Sequence, residues 1–384
     1  MSDLLLSEDE ILLKNTVSDY SKNELAPRAA GYDESALFPW DNVSGIGDLG
    51  LFGLTIPEEY GGSGGTTRQL AIAAEEIAKG CAATSVVYIA HLSLCTQFIN
   101  MFGSEEQKRN FLPDLASGKK IGAFALSEPG AGSDAAAIKT SAVRSNGHYV
   151  VNGVKTWISN APEASIFVTL ATSDTSKKHK GIEALIVESD TEGIVTNQLH
   201  GKMGVRASTV GEIIFDNALV PAKNRMGGDE QGFKQTMEVL NASRISIGAQ
   251  CVGIAQAALE AAVDYALHRE AFGGTISDLQ GIQWMIAEMA TEIEAARQLV
   301  MRSASLRDAN LPFATEAAMS KLYGSRVAME RAHKAVQIHG GTGYFAPTPV
   351  ERYFRDARVT EIYEGTSEIQ KLVIARNILK NKDN

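Results

Sequence analysis

Lys119-Lys120-Ile121-Gly122-Ala123-Phe124-Ala125-Leu126 is the point at which the chain changes character, and the change decides the fold. Before it, residues 1–120 carry a helical period. A capping-like Ser7-Glu8-Asp9-Glu10 precedes Ile11, Leu12 and Leu13, and helices are predicted over 69–79, 83–102 and 105–116. After it, residues 121–228 break into short apolar or alternating runs at 121–126, 148–151, 166–172, 182–187 and 211–215. Asn146-Gly147 and Asn152-Gly153 are tight-turn signals between those runs. A β domain follows, either a small barrel or a sandwich. From residue 229 to 384 the helical period returns. The stretch 231–269 is rich in alanine and apolar on most faces, as expected of a helix buried in a bundle and between subunits. Helices over 280–307 and 315–338, and one from Thr366 onward, complete a four-helix-bundle domain. The expected fold class is α+β and multidomain: an N-terminal helical domain, a middle β domain and a C-terminal helical bundle.

The 384 residues are 44% hydrophobic, enough for large cores. The net charge of −10, with no basic block, argues against a nucleic-acid surface and against an anionic membrane. Cys81, Cys95 and Cys251 lack metal-type spacing and are read as core residues in a reducing compartment, with no metal expected. The acidic N-terminus has no secretory or transit character, so a cytoplasmic protein is expected, or a mitochondrial-matrix one if the chain is processed. The most apolar runs are interrupted by Gly, Ser, Asp and His, and no membrane span is predicted. Gly61-Gly62-Ser63-Gly64-Gly65 follows Pro57-Glu58-Glu59-Tyr60 rather than a strand, so it fails the context of a dinucleotide-binding loop and is read as a tight surface turn. His91, among apolar residues, is read as a satisfied core histidine.

Three segments carry chemistry. In Ile362-Tyr363-Glu364-Gly365-Thr366-Ser367-Glu368-Ile369-Gln370, Thr366 has N-cap chemistry for the last helix, and Glu364 sits just outside that helix beside a glycine that permits close approach to a ligand. Glu364 is the candidate base, with a solvated helix-start carboxylate as the alternative. Ala125-Leu126-Ser127-Glu128-Pro129-Gly130-Ala131-Gly132-Ser133-Asp134 leaves a strand for a loop that offers backbone N–H groups and hydroxyls to a flat heterocycle or an anion; an ordinary turn is the alternative. In Lys155-Thr156-Trp157-Ile158-Ser159-Asn160 the indole is either core or a flank for an aromatic cofactor.

These segments, with Gln337-Ile338-His339-Gly340-Gly341, occur in the order found in the acyl-CoA dehydrogenase family, and the resemblance covers essentially the whole chain. It implies a bound FAD lined by Phe124, Leu126, Ser127, Gly132 and Ser133 on one side and by Trp157, Ile158 and Ser159 on the other. Thr366 and Glu368 complete the flavin site. It also implies that Arg269, Phe272, Leu279, Gln280, Gln337, Ile338, Gly340 and Gly341 serve the cofactor of a neighbouring subunit, with Arg269 suited to pyrophosphate. A surface ion pair is the plain reading of Arg269, and a helix C-cap that of Gly340-Gly341. The implied reaction is α,β-dehydrogenation of an acyl-CoA to a trans-2-enoyl-CoA. Glu364 removes the α proton, flavin takes the β hydride, and electrons pass to an electron-transfer flavoprotein.

Some members of the family carry the base on the long helix, one residue before an arginine. That position here is Ser243, so Glu364 remains and a short-, medium- or branched short-chain type is implied. Asn241 stands where an aspartate is usual, which puts its CoA contact in doubt. Ser133, Arg244, Gly365 and Arg376 match other CoA-contacting positions, and Arg244 has pairing with a nearby acid as its alternative role. No Arg or Lys occurs between residues 80 and 100, and Ala82 lies near where the glutaryl-CoA branch carries an arginine, which speaks against a dicarboxylic substrate. The competing expectations are an oxygen-using acyl-CoA oxidase-like relative and a non-catalytic flavin scaffold that binds nucleic acid. The family also implies a homo-oligomer, a tetramer built as a dimer of dimers.

Overall fold

The computed structural model describes residues 5–380. Its N-terminal part is helical: α1 (Glu8–Tyr20), α2 (Ala26–Ser35), α3 (Trp40–Asp48), α4 (Thr67–Gly80), α5 (Ala82–Ile89), α6 (Gln97–Phe102) and α7 (Glu105–Ala116). Three starts obey local capping rules. Ser7–Glu10, Thr66–Gln69 and Ser104–Gln107 each form a reciprocal capping box, satisfying two N–H groups at each helix end. A π-helical segment, Ala90–Thr96, joins α5 to α6, so the helix predicted over 83–102 is continuous but locally widened. His91 lies within it, fully buried. It accepts from the Gly122 N–H at 2.9 Å and meets the Leu115 carbonyl at 3.0 Å, and burial pushes its pKa down to about 4. It is the satisfied core histidine expected. The glycine run is the tight surface turn expected, and within it a Cβ on Gly62 would lie 2.0 Å from the Ile56 carbonyl, so close backbone packing requires the glycine.

The middle part contains β1 (Gly122–Ala125), β2 (Ser141–Ser145), β3 (His148–Ser159), β4 (Ile166–Thr172), β5 (Ile182–Glu188), β6 (Ile194–Leu199), β7 (Val210–Pro221) and β8 (Arg225–Met226). The sheet order is β6-β7-β3-β2-β4-β5-β8, with β1 parallel to β4. Asn146-Gly147 closes the β2–β3 hairpin with both residues at positive φ, as predicted. Asn152-Gly153 does not make a turn. Both residues lie inside β3, a single strand of 12 residues whose register against β7 shifts between Val151 and Gly153 and again between Lys155 and Ile158. These bulges replace the predicted turn, and the second one places Trp157 at φ +58°.

The C-terminal part holds α8 (Gly232–His268), a small hairpin of β9 (Glu270–Ala271) and β10 (Gly274–Thr275), then α9 (Gln280–Asp308), α10 (Ala314–His339), α11 (Pro349–Arg358) and α12 (Ser367–Lys380). The predicted long helices match α8, α9 and α10 to within one or two residues; α11, with proline in its first turn, was not foreseen. α8 runs for 37 residues through the bundle, and a Cβ at Gly248 would touch Val300 of α9 at 3.0 Å and Ser320 of α10 at 3.1 Å. The main apolar cluster links N-terminal residues such as Val17 and Leu70 to bundle residues such as Ile254 and Ala332, while a second cluster around Phe167 and Phe215 fills the sheet.

The prediction of no apolar span needs correction at two places. Ala82–Phe102 and Gly232–His268 are long and apolar enough to cross a membrane, yet their apolar windows are 100% and 78% buried inside the protein, as core helices are. The three cysteines are buried and free.

Candidate active site

Glu364 occupies the turn between a 3-10 segment, Val359–Glu361, and α12. It sits at φ +51° and Gly365 at φ +94°, two consecutive residues in the left-handed region. For a glutamate this conformation is uncommon and persists only where the surroundings hold it. The helix beyond starts as predicted: Thr366 caps it, its Oγ1 accepting from Ile369 N–H at 3.4 Å.

The carboxylate of Glu364 turns toward α8. The Ser243 hydroxyl donates to its Oε2, and Arg244 lies close enough to act on its charge. Burial nevertheless prevails and pushes the Glu364 carboxyl up to about 7, with Ser243, Arg244 and Lys321 acting in the opposite direction. The residue is half-buried, so part of it still faces outward. Its backbone N–H has no acceptor among the described residues. A base poised near neutrality next to an unused donor suits proton removal beside a carbonyl.

Arg244 is buried and donates from Nη1 to Asn241 Oδ1 at 2.5 Å, while its Nε has no protein partner. Its hydrogen bond therefore goes to the amide that replaces the usual aspartate, not to an acid. Sequence reasoning missed three further groups around Glu364. Lys321 of α10 is fully buried and donates to the Gly365 carbonyl at 2.8 Å. The Gln370 amide donates to Gly365 O at 2.9 Å and to Glu364 O at 3.2 Å. The Tyr363 hydroxyl donates to Gln250 of α8. The available signal for Lys321 was a lone lysine on a face of small residues, Ala317, Ala318, Gly324 and Ser325, where a charge is out of place.

The loop after β1 is fixed from beneath by a second buried lysine. Lys155 of β3 is fully buried, and its Nζ donates to Leu126 O at 3.0 Å and to Glu128 Oε1 at 2.8 Å. Glu128 also accepts from the N–H groups of Lys139 at 2.6 Å and Thr140 at 2.9 Å, and Lys155 with these donors holds its carboxyl below the usual carboxylate range. Thr156 N–H donates to Ser127 O at 2.9 Å, which ties the loop to the bulge that carries Trp157. Phe124 is buried with its ring 5.9 Å from that of Phe98, Leu126 and Ser127 are half-buried, and Gly132 and Ser133 are exposed. Trp157 is 60% exposed, so the core reading of its indole is excluded. Ile158 points into the sheet core and Ser159 is half-buried.

This arrangement fits the flavin that the resemblance implies. An indole is presented outward by a bulge rather than packed, and the hydroxyls of Ser127, Ser133 and Ser159 have no hydrogen-bond partner among the described residues. A flat heterocycle takes up both kinds of group.

The remaining nominated residues form a separate face. Arg269 ends α8, Phe272 at the hairpin tip is 94% exposed at φ +57°, and Leu279 and Gln280 open α9, both exposed. Tyr265 of α8 stacks on His339 of α10 at 4.3 Å, which sets the Gln337–Gly341 segment beside the end of α8. Gln337, Gly340 and Gly341 are exposed and Ile338 is buried. No hydrogen bond or ring contact joins this face to the 124–134 loop or to Trp157 among the described residues. Glu368 is exposed beside Thr366 in the first turn of α12, and Arg376 is exposed further along it, away from the Glu364 hydrogen-bond network. Among the described residues no three His, Cys, Asp or Glu side chains gather as a metal site.

Comparison with known proteins agrees along the full length. Residues 7–119 match the family described as acyl-CoA dehydrogenase, N-terminal domain, residues 123–218 its middle domain and residues 230–379 its C-terminal domain. A short-chain specific acyl-CoA dehydrogenase of Clostridium acetobutylicum is 44% identical, the match covering 98% of this chain and 100% of the relative. A chain solved in work on the electron transferring flavoprotein of Acidaminococcus fermentans is 41% identical and superposes with a TM-score of 0.96, covering 98% of this chain and 99% of that one. An acyl-CoA dehydrogenase from Bacillus anthracis, solved with FAD, is 33% identical with a TM-score of 0.93, covering 100% of this chain and 68% of that one. Helical, β and helical parts each find their counterpart in sequence and in shape, and the chain belongs to the acyl-CoA dehydrogenase family.

Proposed function

We propose that this flavoenzyme dehydrogenates a short acyl-CoA thioester, with Glu364 as the base that removes the α proton. The observation that carries the reading is the carboxyl of Glu364, raised to about 7 by burial beside its own unpartnered N–H. The α proton passes to the Glu364 carboxylate, and the N–H of the same residue donates to the thioester oxygen, where negative charge develops. FAD, the cofactor of the family, supplies when bound the acceptor for the hydrogen that leaves the β carbon with its electron pair. The 124–134 loop, Trp157 and Ser159 bind and orient that cofactor, with Thr366 and Glu368 closing it from the first turn of α12. Ser133, Asn241, Arg244, Gly365 and Arg376 are assigned to the CoA portion.

A short acyl chain is supported by the relative named above. An electron-transfer flavoprotein is the proposed electron acceptor, in line with the source of the Acidaminococcus chain. The face of Arg269, Phe272, Gln280 and Gly340-Gly341 is assigned to the cofactor of a second copy, in a homo-oligomer of two such dimers. Its nearly complete exposure at Phe272 supports this, and light scattering that finds a FAD-loaded monomer would overturn it.

Anaerobic titration with straight and branched acyl-CoA thioesters from butyryl upward, following the bleaching of the flavin spectrum, tests the function. Bleaching by short thioesters is expected. A flavin that no thioester bleaches removes the basis of the Glu364 assignment.

A further inference from the structure

A left-handed glutamate followed by a left-handed glycine needs external support, and the support here is specific. Among the described residues the two peptide oxygens of the turn are held by two side chains only: Lys321 Nζ on Gly365 O at 2.8 Å, and Gln370 Nε2 on Gly365 O at 2.9 Å and Glu364 O at 3.2 Å. Both side chains are fully buried, which limits competition from water for these bonds. An ammonium is the strongest donor the chain can place on a carbonyl, and a lysine in a dry bundle has a high desolvation cost unless it has a task of this kind.

We propose that Lys321 is a positioning residue of the dehydrogenation, its ammonium clamping the Glu364–Gly365 turn so that the carboxylate meets the α carbon and the Glu364 N–H stays free for the thioester oxygen. This rests on the reading of Glu364 as the base. The clamp is strong while Lys321 is protonated and weakens when it is not, since a neutral amine is a poorer donor than an ammonium. Glu364 and Gly365 face it from the turn, Glu361 from the preceding 3-10 segment, and Arg244 and Cys251 from α8. Burial is the largest influence and, with Arg244, disfavours the cation, while Cys251, Glu364 and Glu361 favour it; the lysine is pushed down to about 8. Proton abstraction is fastest where Glu364 has lost its proton and Lys321 keeps its own, so the step has an optimum bounded by these two groups.

The test compares the FAD-loaded wild type with Lys321→Met, Gln370→Leu and Glu364→Gln. Three quantities are read: the flavin-to-protein ratio, the affinity for a butyryl-CoA thioether analogue that cannot be dehydrogenated, and the rate of anaerobic bleaching by butyryl-CoA from about pH 6 to about pH 9. The expected result for Lys321→Met is wild-type flavin content, analogue affinity within about threefold, bleaching roughly 10- to 100-fold slower, and no alkaline limb in the pH profile. Gln370→Leu should slow bleaching and keep the alkaline limb. Lys321→Met bleaching at the wild-type rate with the wild-type pH profile overturns the proposal. If Lys321→Met does not hold FAD, Gln370→Leu decides, and its wild-type rate overturns the clamp. If no acyl-CoA bleaches the wild type, or Glu364→Gln bleaches normally, the reading of Glu364 has failed instead.

Discussion

Lys155→Met is the sharpest test of how the loop after β1 is held. Lys155 and Glu128 have side chains 0% and 7% exposed, with an N–O distance of 2.8 Å. Removing the lysine leaves a buried carboxylate with only the N–H groups of Lys139 and Thr140 as donors. Truncating one partner of a buried ion pair costs about 3–5 kcal/mol, and the two surviving donors put this case near the lower end, about 3 kcal/mol. At about 2.1 cal/mol/K of unfolding entropy per residue, about 0.8 kcal/mol/K for a chain of 384 residues, the melting temperature should fall by about 4 °C. The assay is a slow thermal ramp that follows flavin fluorescence on release and circular dichroism in parallel. Flavin should leave before the helices melt, because the loop and not the bundle has been loosened. Replacing both partners, Lys155→Met with Glu128→Leu, removes the orphaned charge and should recover at least about 1 kcal/mol relative to the sum of the single variants. A Lys155→Met protein that melts with the wild type, or a double variant as unstable as that sum, would refute the assignment of the pair as the anchor of the loop.

Glu364→Gln should retain FAD and acyl-CoA binding and lose turnover by roughly 100- to 10,000-fold, the range of a lost general base; steady-state kinetics with intact flavin absorbance checks it. Because Glu364 acts ionised and is raised to about 7, kcat/KM should rise through pH 7 and fall about tenfold per unit below it, as a pH profile would record. His91 is pushed down to about 4, below its unfolded value. Its contribution to stability is therefore complete above about pH 6.5 and is lost as pH falls from there toward 4, amounting to about 3 kcal/mol over the span. Melting curves between those limits should show a shallower pH slope in His91→Gln than in the wild type.

Much of the fold was legible because local chemistry and long-range packing agree. Thr366 announces α12, Ser7-Glu8-Asp9-Glu10 announces α1, and the alanine-rich run announces α8. The place of Glu364 in the turn before α12 was legible from a short motif. What escaped depends on tertiary context. Asn152-Gly153 has turn chemistry, but β7 pairs on both sides of it and absorbs the extra residue as a bulge. Trp157 is apolar enough for a core, yet the next bulge turns it outward. Lys155 looks like an ordinary surface lysine in sequence, and although the small-residue face around Lys321 hints at burial, nothing local records that a carboxylate or a carbonyl awaits these two in the interior. α11 spans only 10 residues, and its short stripe of Val350, Tyr353, Phe354 and Ala357 is broken up by charged residues, so it was easily overlooked in sequence.

The uninterrupted length of α8 fixes more than packing. Ser243 and Arg244 stand partway along it, and Arg269 follows its last turn, 26 residues beyond Ser243. Each residue advances a helix by about 1.5 Å and turns it by about 100°. Deleting one residue between these points would leave the base site in place while swinging the hairpin of Arg269 and Phe272 by about 100° about the helix axis. Point substitutions along the exposed edge of α8 are therefore tolerable in a way that insertions and deletions are not. Variation in chain length among descendants of this protein should collect in the loops and stop at both ends of this rod.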